Sequence, residues 1–326
     1  MTLRNSLLLL STIWGALALF SVAIGSVFIP VDNIIKLLVT GGITDNFILW
    51  NHRIPRLFIA TLVGMALAVS GNLVHAVVRN PLASPDILGV TAAASFSVVL
   101  LFSHWPDAPQ YWAPLSALIG GLLSAGILLL ITYRQRTLMP PARLALVGLA
   151  LSAIFAAGAD YLLTVNPIEV NSAMLWMTGS VWGRNWSHLP LILPGLLILI
   201  PAALYISYRL DLLGLGAEAA TSFGINVSQT RIIALLMAIA LASLSVSVCG
   251  AIGFIGIVAP HLARVIVGGR HFASILVSLL LGALLLVVAD IAARAIAPPT
   301  EFPTGIFVAI IGAPYFLLLI TRYKHW

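Results

Sequence analysis

The sequence predicts an all-α integral membrane protein, a single transmembrane domain of ten helices spanning 1–326. Two observations carry that expectation. Hydrophobic residues make up 61 % of the chain and charged residues 8 %, against about 45–50 % and about 25 % in soluble domains. So few polar groups cannot cover a soluble globule, and a chain this apolar is not disordered. The apolar residues also gather into ten runs near the length of a bilayer crossing, about 20 residues, with short connections between them. Separately, a single cysteine, Cys249, allows no internal disulfide and no cysteine-based metal site.

The first run, 7–28, stands behind Arg4. It is longer than the apolar core of a secretory leader, no small-residue cleavage site follows, and nine more runs come after it, so it reads as a retained helix. The second is 57–78. The third, 87–102, and the eighth, 253–267, fall short of a full crossing and begin at the Pro/Gly-rich stretches Asn80–Gly89 and Gly250–Gly256. Broken or re-entrant geometry is expected there, and irregular backbone at that depth needs protein or a water-filled path around it. The fourth and fifth runs are 113–133 and 144–165. Residues 171–183 are apolar but too short to cross and are expected as a helix on the outer face. The sixth run is 189–208, and a polar connection, 209–231, leads to the seventh, 232–248. The ninth and tenth are 273–296 and 305–320.

Lysine and arginine are retained on the cytoplasmic side of short loops, so their distribution sets orientation. A cytoplasmic N-terminus puts Arg4, Arg79, Arg134, Arg136, Arg143, Arg209, Arg231, Arg264, Arg270, Arg322 and Lys324 inside. Lys36, Arg53, Arg56, Arg184 and Arg294 are then outside, a ratio of 11 to 5 that favours both termini in the cytoplasm. The five outer cations are exceptions that need a reason. The net charge of +6 does not signal nucleic acid, because the basic residues are scattered singly.

Much chemistry is missing. Neither lysine, Lys36 or Lys324, follows a glycine, so no phosphate-binding loop exists, and any ATP must be hydrolysed by another chain. The seven histidines never fall three or four residues apart, which argues against a metal site on one helix. No Gly-x-Ser-x-Gly elbow presents a serine nucleophile. Ionisable residues inside the runs are few, which speaks against the proton relay of a coupled carrier. Asp160 near the outer end of the fifth run reads either as an interfacial residue or as part of a path. Asp290 and Arg294 read either as an ordinary i,i+4 pair or as part of a functional surface.

The 209–231 connection breaks the apolar pattern. Gly214 and Gly216 punctuate it, Ala217–Phe223 are helix formers, and Gly224 is placed as a C-terminal stop before a second helix near Ser228. A short helix of small residues here would make a knob able to seat in a groove of a soluble motor, with Gly216, Glu218, Ala219 and Gly224 as the coupling residues. The alternative is an interfacial loop that Glu218 merely keeps soluble.

Several stretches together resemble a known family. They are Arg53-Ile-Pro-Arg56, Asn80–Gly89, the Gly216–Gly224 loop, Gly253–His261, Ala289–Arg294, Pro303-Thr-Gly-Ile and Gly312-Ala-Pro314. The sequence resembles the FecCD or BtuC-type permeases, membrane subunits of ATP-driven importers for iron–siderophore complexes, haem and vitamin B12. Within that family, Asn80–Val90, Trp176–Ser187 and Gly268–His271 look most like its ferric dicitrate permeases. The resemblance implies a BtuC-like (type II ABC importer) permease fold in a bacterial inner membrane. It implies a second permease subunit, two ATPase subunits that bind the ATP and Mg, a periplasmic substrate-binding protein, and no enzyme activity or cofactor in this chain.

By the same resemblance the outer arginines Arg53, Arg56 and Arg294 are expected to dock carboxylates of the binding protein. The other reading open for them is contact with lipid headgroups or an anionic cargo. Small residues on the fifth run, among them Ala150, Ser152, Ala153 and Ala157, suit a wide passage between two subunits, with Asp160 and Trp176 beside it. The implied cargo is an iron(III) chelate, ferric dicitrate ahead of other siderophores, with cobalamin third. Two other classes stay in view: an ion-coupled secondary carrier, which would need no ATPase, and an intramembrane enzyme. The start of the second run, Arg53–Gly71, and of the seventh, Arg231–Gly250, share an Arg-Ile opening and opposite directions, a hint of inverted repeats that suits transporters generally.

Overall fold

The computed structural model describes residues 2–25, 29, 30, 32, 34, 47–109, 111–133, 141–165, 176–296 and 300–322. Among them stand eleven α-helices and no strand: α1 Leu3–Ala23, α2 Ile54–Val78, α3 Val90–His104, α4 Trp112–Tyr133, α5 Pro141–Val165, α6 Leu189–Gly214, α7 Ala217–Ser222, α8 Val227–Cys249, α9 Ile255–Val267, α10 His271–Ala295 and α11 Thr304–Arg322. Eight are long and apolar enough to cross a membrane, while α3 and α9 are shorter apolar helices of 15 and 13 residues. Lys36, Arg134, Arg136, Lys324 and the start of the expected 171–183 helix lie outside the described residues.

Local sequence explains most helix ends. A π-helical turn, Leu49–Arg53, feeds α2, whose Pro55 occupies a first-turn position where no amide donor is needed. Arg79 closes α2 in the left-handed region, φ 53°. The Asn80–Gly89 stretch turns through a 3-10 segment, Pro85–Leu88, before α3 begins. Asn226 caps α8, its side-chain oxygen accepting the Gln229 amide at 3.0 Å. The expected 209–231 connection is shorter than the sequence suggested. Helix α6 runs on to Gly214 and α8 starts at Val227, because Leu210 and Leu213 find buried seats that prolong the helix.

The centre of the bundle is α2, α8 and α10, whose most apolar stretches are 83 %, 72 % and 67 % buried, against 17 % for α5 and 22 % for α6 and α11. In lipid, helices are drawn together by close contact and hydrogen bonds more than by hydrophobicity, and the seams show both. A β-carbon added to Gly64 would sit 2.3 Å from the Gly282 carbonyl oxygen, so α2 and α10 touch backbone to backbone. One at Gly71 would sit 1.9 Å from the Gly256 carbonyl at the start of α9. Asn72 donates to Ser274 and Ser278 of α10 at 3.1 and 3.0 Å, and Ser70 donates to the Ala238 carbonyl of α8 at 2.5 Å. The two segments with a hint of repeat, in α2 and α8, thus both lie in this core.

The helix directions sort the described arginines onto two ends. Arg4, Arg79, Arg143, Arg209, Arg231, Arg264, Arg270 and Arg322 fall at the same end as α7, the knob end. Arg53, Arg56, Arg184 and Arg294 fall at the opposite, arginine end.

Candidate functional site

At the arginine end the C-terminal turn of α1, the start of α2 and the end of α10 converge on a buried charge network. Arg56 Nε donates to both Asp290 oxygens at 3.0 and 3.2 Å, and its Nη2 donates to Oδ1 at 2.8 Å. Its other arm, Nη1, reaches Glu301 at 2.6 Å. Arg294, one turn beyond Asp290, pairs with the second carboxylate oxygen at 3.1 Å and donates to the Ser21 and Ile24 carbonyls at 3.1 and 2.9 Å. Arg53 donates to the Val22 and Ala23 carbonyls at 2.6 and 3.0 Å. A buried charge is tolerated only when paired and hydrogen-bonded, and the planar guanidinium fork supplies several donors in one fixed geometry.

Arg53, Arg56 and Arg294, the residues expected to dock a binding protein, thus lie sunk below the surface of this chain. They are 6 %, 8 % and 5 % exposed, bonded inward to carbonyls and carboxylates of their own chain. The Asp290–Arg294 pair is likewise more than a local i,i+4 contact, since Asp290 is shared with Arg56 and accepts from Thr304 at 3.4 Å. Arg184 is also turned inward: its Nη1 lies 3.3 Å from His188 Nε2, and burial holds its guanidinium below the ordinary arginine range. Glu301, which sequence reasoning did not single out, is the more accessible carboxylate of the network, its side chain 24 % exposed. Its signal was weak, one acidic residue after a proline pair.

The α5 residues stay on the outside. Ala150, Ala153, Ala157 and Asp160 share an exposed face with Leu146, Leu149, Ile154 and Tyr161. Trp176 does not join them. It is 8 % exposed and packed with Val98, Ala159 and Val246, because the turn after it is tied into the bundle by the Ser180 amide on the Cys249 carbonyl at 2.7 Å. Within this chain Trp176 thus packs into the bundle, apart from the exposed α5 face.

At the knob end, α7 is a six-residue helix, Ala217–Ser222, preceded by Gly216 at φ 120° and followed by Gly224 at φ 80°. A β-carbon at either glycine would meet open space, so what demands glycine at both is the positive φ itself. Glu218 is exposed, Ala219 half-buried, and Ala220 fully buried against the bundle. A surface hollow of about 430 Å³ borders Glu218, Thr221, Ser222 and Val227. The four residues expected to act together therefore do lie on one small projecting element.

Residues 11–322 match the sequence profile of the FecCD transport family. The chain is 49 % identical over 278 residues to the Fe(3+) dicitrate transport system permease protein FecD of Escherichia coli (strain K12), covering 85 % of this chain and 86 % of that one. It is 40 % identical over 315 residues to the Fe(3+)-citrate import system permease protein YfmE of Bacillus subtilis (strain 168), covering 97 % and 94 %. Among solved structures, a metal-chelate type ABC transporter in an inward-facing conformation superposes with a TM-score of 0.87 at 27 % identity, covering 98 % of this chain and 99 % of that one. The chain belongs to the FecCD transport family.

Proposed function

From that membership we infer that this chain is the permease subunit of an ATP-driven, binding-protein-dependent importer of iron(III) chelates, with ferric dicitrate as its first cargo. The observation that carries the cargo is the 49 % identity with a ferric dicitrate permease over most of both chains. The chain supplies a path and moving parts, and ATP with Mg is turned over on separate ATPase subunits.

The parts divide by region. The exposed α5 face, with Ala153, Ala157 and Asp160, meets a second permease subunit, and small side chains there leave room for a bulky chelate between the two. The α7 knob seats in an ATPase: Gly216 and Gly224 fix its shape, Ala219 lets the motor approach closely, and Glu218 offers a charge to a basic residue of the motor. A periplasmic binding protein docks at the arginine end. Because Arg53, Arg56 and Arg294 are buried, docking works there by exchange, with a partner carboxylate taking over the arm of Arg56 that Glu301 now holds. We read the knob end, and both termini, as cytoplasmic in a bacterial inner membrane, a reading that the excess of cations at that end supports.

The test is uptake of radiolabelled iron by cells that carry the chain with its cognate partners and no other iron importer. Accumulation from ferric dicitrate, abolished by depleting nucleotide and insensitive to collapsing the ion gradient, is the expected result. Transport of hydroxamate siderophores or cobalamin with none of ferric dicitrate overturns the cargo, and dependence on the ion gradient overturns the importer class.

A further inference from the structure

We propose that a cavity at the knob end binds a phosphate-bearing anion, and that its natural occupant is the headgroup of an anionic phospholipid from the adjoining leaflet. The cavity measures about 400 Å³ and opens where four helix ends meet: α2 ending at Val78, α6 at Gly214, α9 at Val267, and α10 starting at His271. These ends sit where helices leave the hydrocarbon, the depth at which lipid phosphates lie.

The lining is basic. Helix spacing aims pairs of residues into the same space: His75 and Arg79 are one turn apart at the end of α2, and His261 and Arg264 one turn apart on α9, with His271 opposite. The nearby carboxylate, Asp211, is already committed, accepting the His271 backbone amide at 2.8 Å and standing 2.7 Å from its Nδ1. Arg79 is exposed and donates through Nη2 to the Leu213 carbonyl, which leaves further guanidinium donors for a ligand. His75 is 2 % exposed and forms the inner wall of the cavity, with the Ala83 backbone within reach of its ring.

Three helix C-termini point their negative dipole ends toward this region, which opposes an anion. Each is worth only about half a charge and fades within a turn, whereas Arg79 and Arg264 bring two full charges. The apolar part of the lining decides between sources. Leu210 and Ala76 form a floor, and Val265, 70 % exposed, leads out to the flank of the bundle. A free phosphate gains nothing from that doorway, whereas acyl chains lie along it while the phosphate reaches the arginines.

The experiment uses the full chain in its assembled complex, purified in detergent and stripped of lipid. Two probes are added: dioctanoyl phosphatidylglycerol, read by native mass spectrometry, and radiolabelled inorganic phosphate, read by equilibrium dialysis. Arg79→Gln removes a charge at an exposed position, and Val265→Trp blocks the doorway; melting curves confirm that both variants fold. The expected result is one phosphatidylglycerol held per chain, bound roughly fivefold more weakly by Arg79→Gln and lost in Val265→Trp. Saturable inorganic phosphate that is weakened by Arg79→Gln and indifferent to Val265→Trp supports the phosphate site with a soluble anion as occupant. Equal binding of both probes by the unaltered chain and both variants, or no saturable binding of either, overturns the proposal.

Discussion

At the arginine end, charged side chains are sunk below the surface and hold one another, with Arg56 spread over Asp290 and Glu301 and Arg294 over Asp290 and the end of α1. At the knob end, Glu218 stands in the open on a six-residue helix, and what is fixed there is backbone, through glycines at φ 120° and 80°. The first region is specified by partners and the second by shape. A change at the first leaves an unmatched charge inside the protein. A change at the second leaves the fold intact and alters only what the projecting helix presents.

The sharpest way to break this contrast is Asp290→Asn. It leaves Arg56 and Arg294 buried with one carboxylate gone, and removing one member of a buried ion pair costs about 3–5 kcal/mol. We expect a large drop in melting temperature in detergent and little chain inserted in the membrane. A variant that melts with the unaltered chain would mean that the network is solvated and that the contrast is false. Gly224→Val comes next. A β-branched residue at positive φ costs about 1–2 kcal/mol, enough to turn α7 without unfolding the bundle. The expected reading is normal expression with ATP hydrolysis no longer tied to iron uptake; intact coupling would remove α7 from its assigned role. The smallest effect is expected for Glu301→Gln. A partly exposed pair contributes about 0–1 kcal/mol, so melting should hardly change while Arg56 becomes easier for an incoming carboxylate to claim. Tighter capture of the binding protein in surface plasmon resonance is expected, and unchanged capture counts against exchange at Arg56.

The helices and several of their ends were legible because the signals are local. Apolar runs gave the elements, Gly224 was readable as a stop before a helix starting near Ser228, and the Pro/Gly-rich stretches marked the two short helices α3 and α9. Burial was not legible from hydropathy. The α2 and α5 spans have mean hydropathies of 2.0 and 1.8, yet their apolar stretches are 83 % and 17 % buried. Lipid and protein interior are equally apolar, so only the close-contact residues such as Gly64 and Gly71 distinguish them. The arginine end was half legible. Cations on the side that normally lacks them marked Arg53, Arg56 and Arg294 as unusual, but Arg56 meets Asp290 from 234 residues away, and no local pattern carries such a pairing. The basic cavity is not legible in the sequence, because its histidines and arginines come together from helix ends near residues 75–79, 261–264 and 271.

The seam of Gly64 against Gly282 has a mechanical consequence. Contact there is between main chains, so no side chain can change rotamer to let one helix slide past the other. Helices α2 and α10, each of 25 residues and therefore about 38 Å long, behave as one stiff spar through the membrane. One tip of that spar carries the Arg56–Asp290 network and the other carries Arg79 and His271. A tilt imposed at either tip arrives at the other undamped, and opening and closing of a passage falls to the helices hung around the spar.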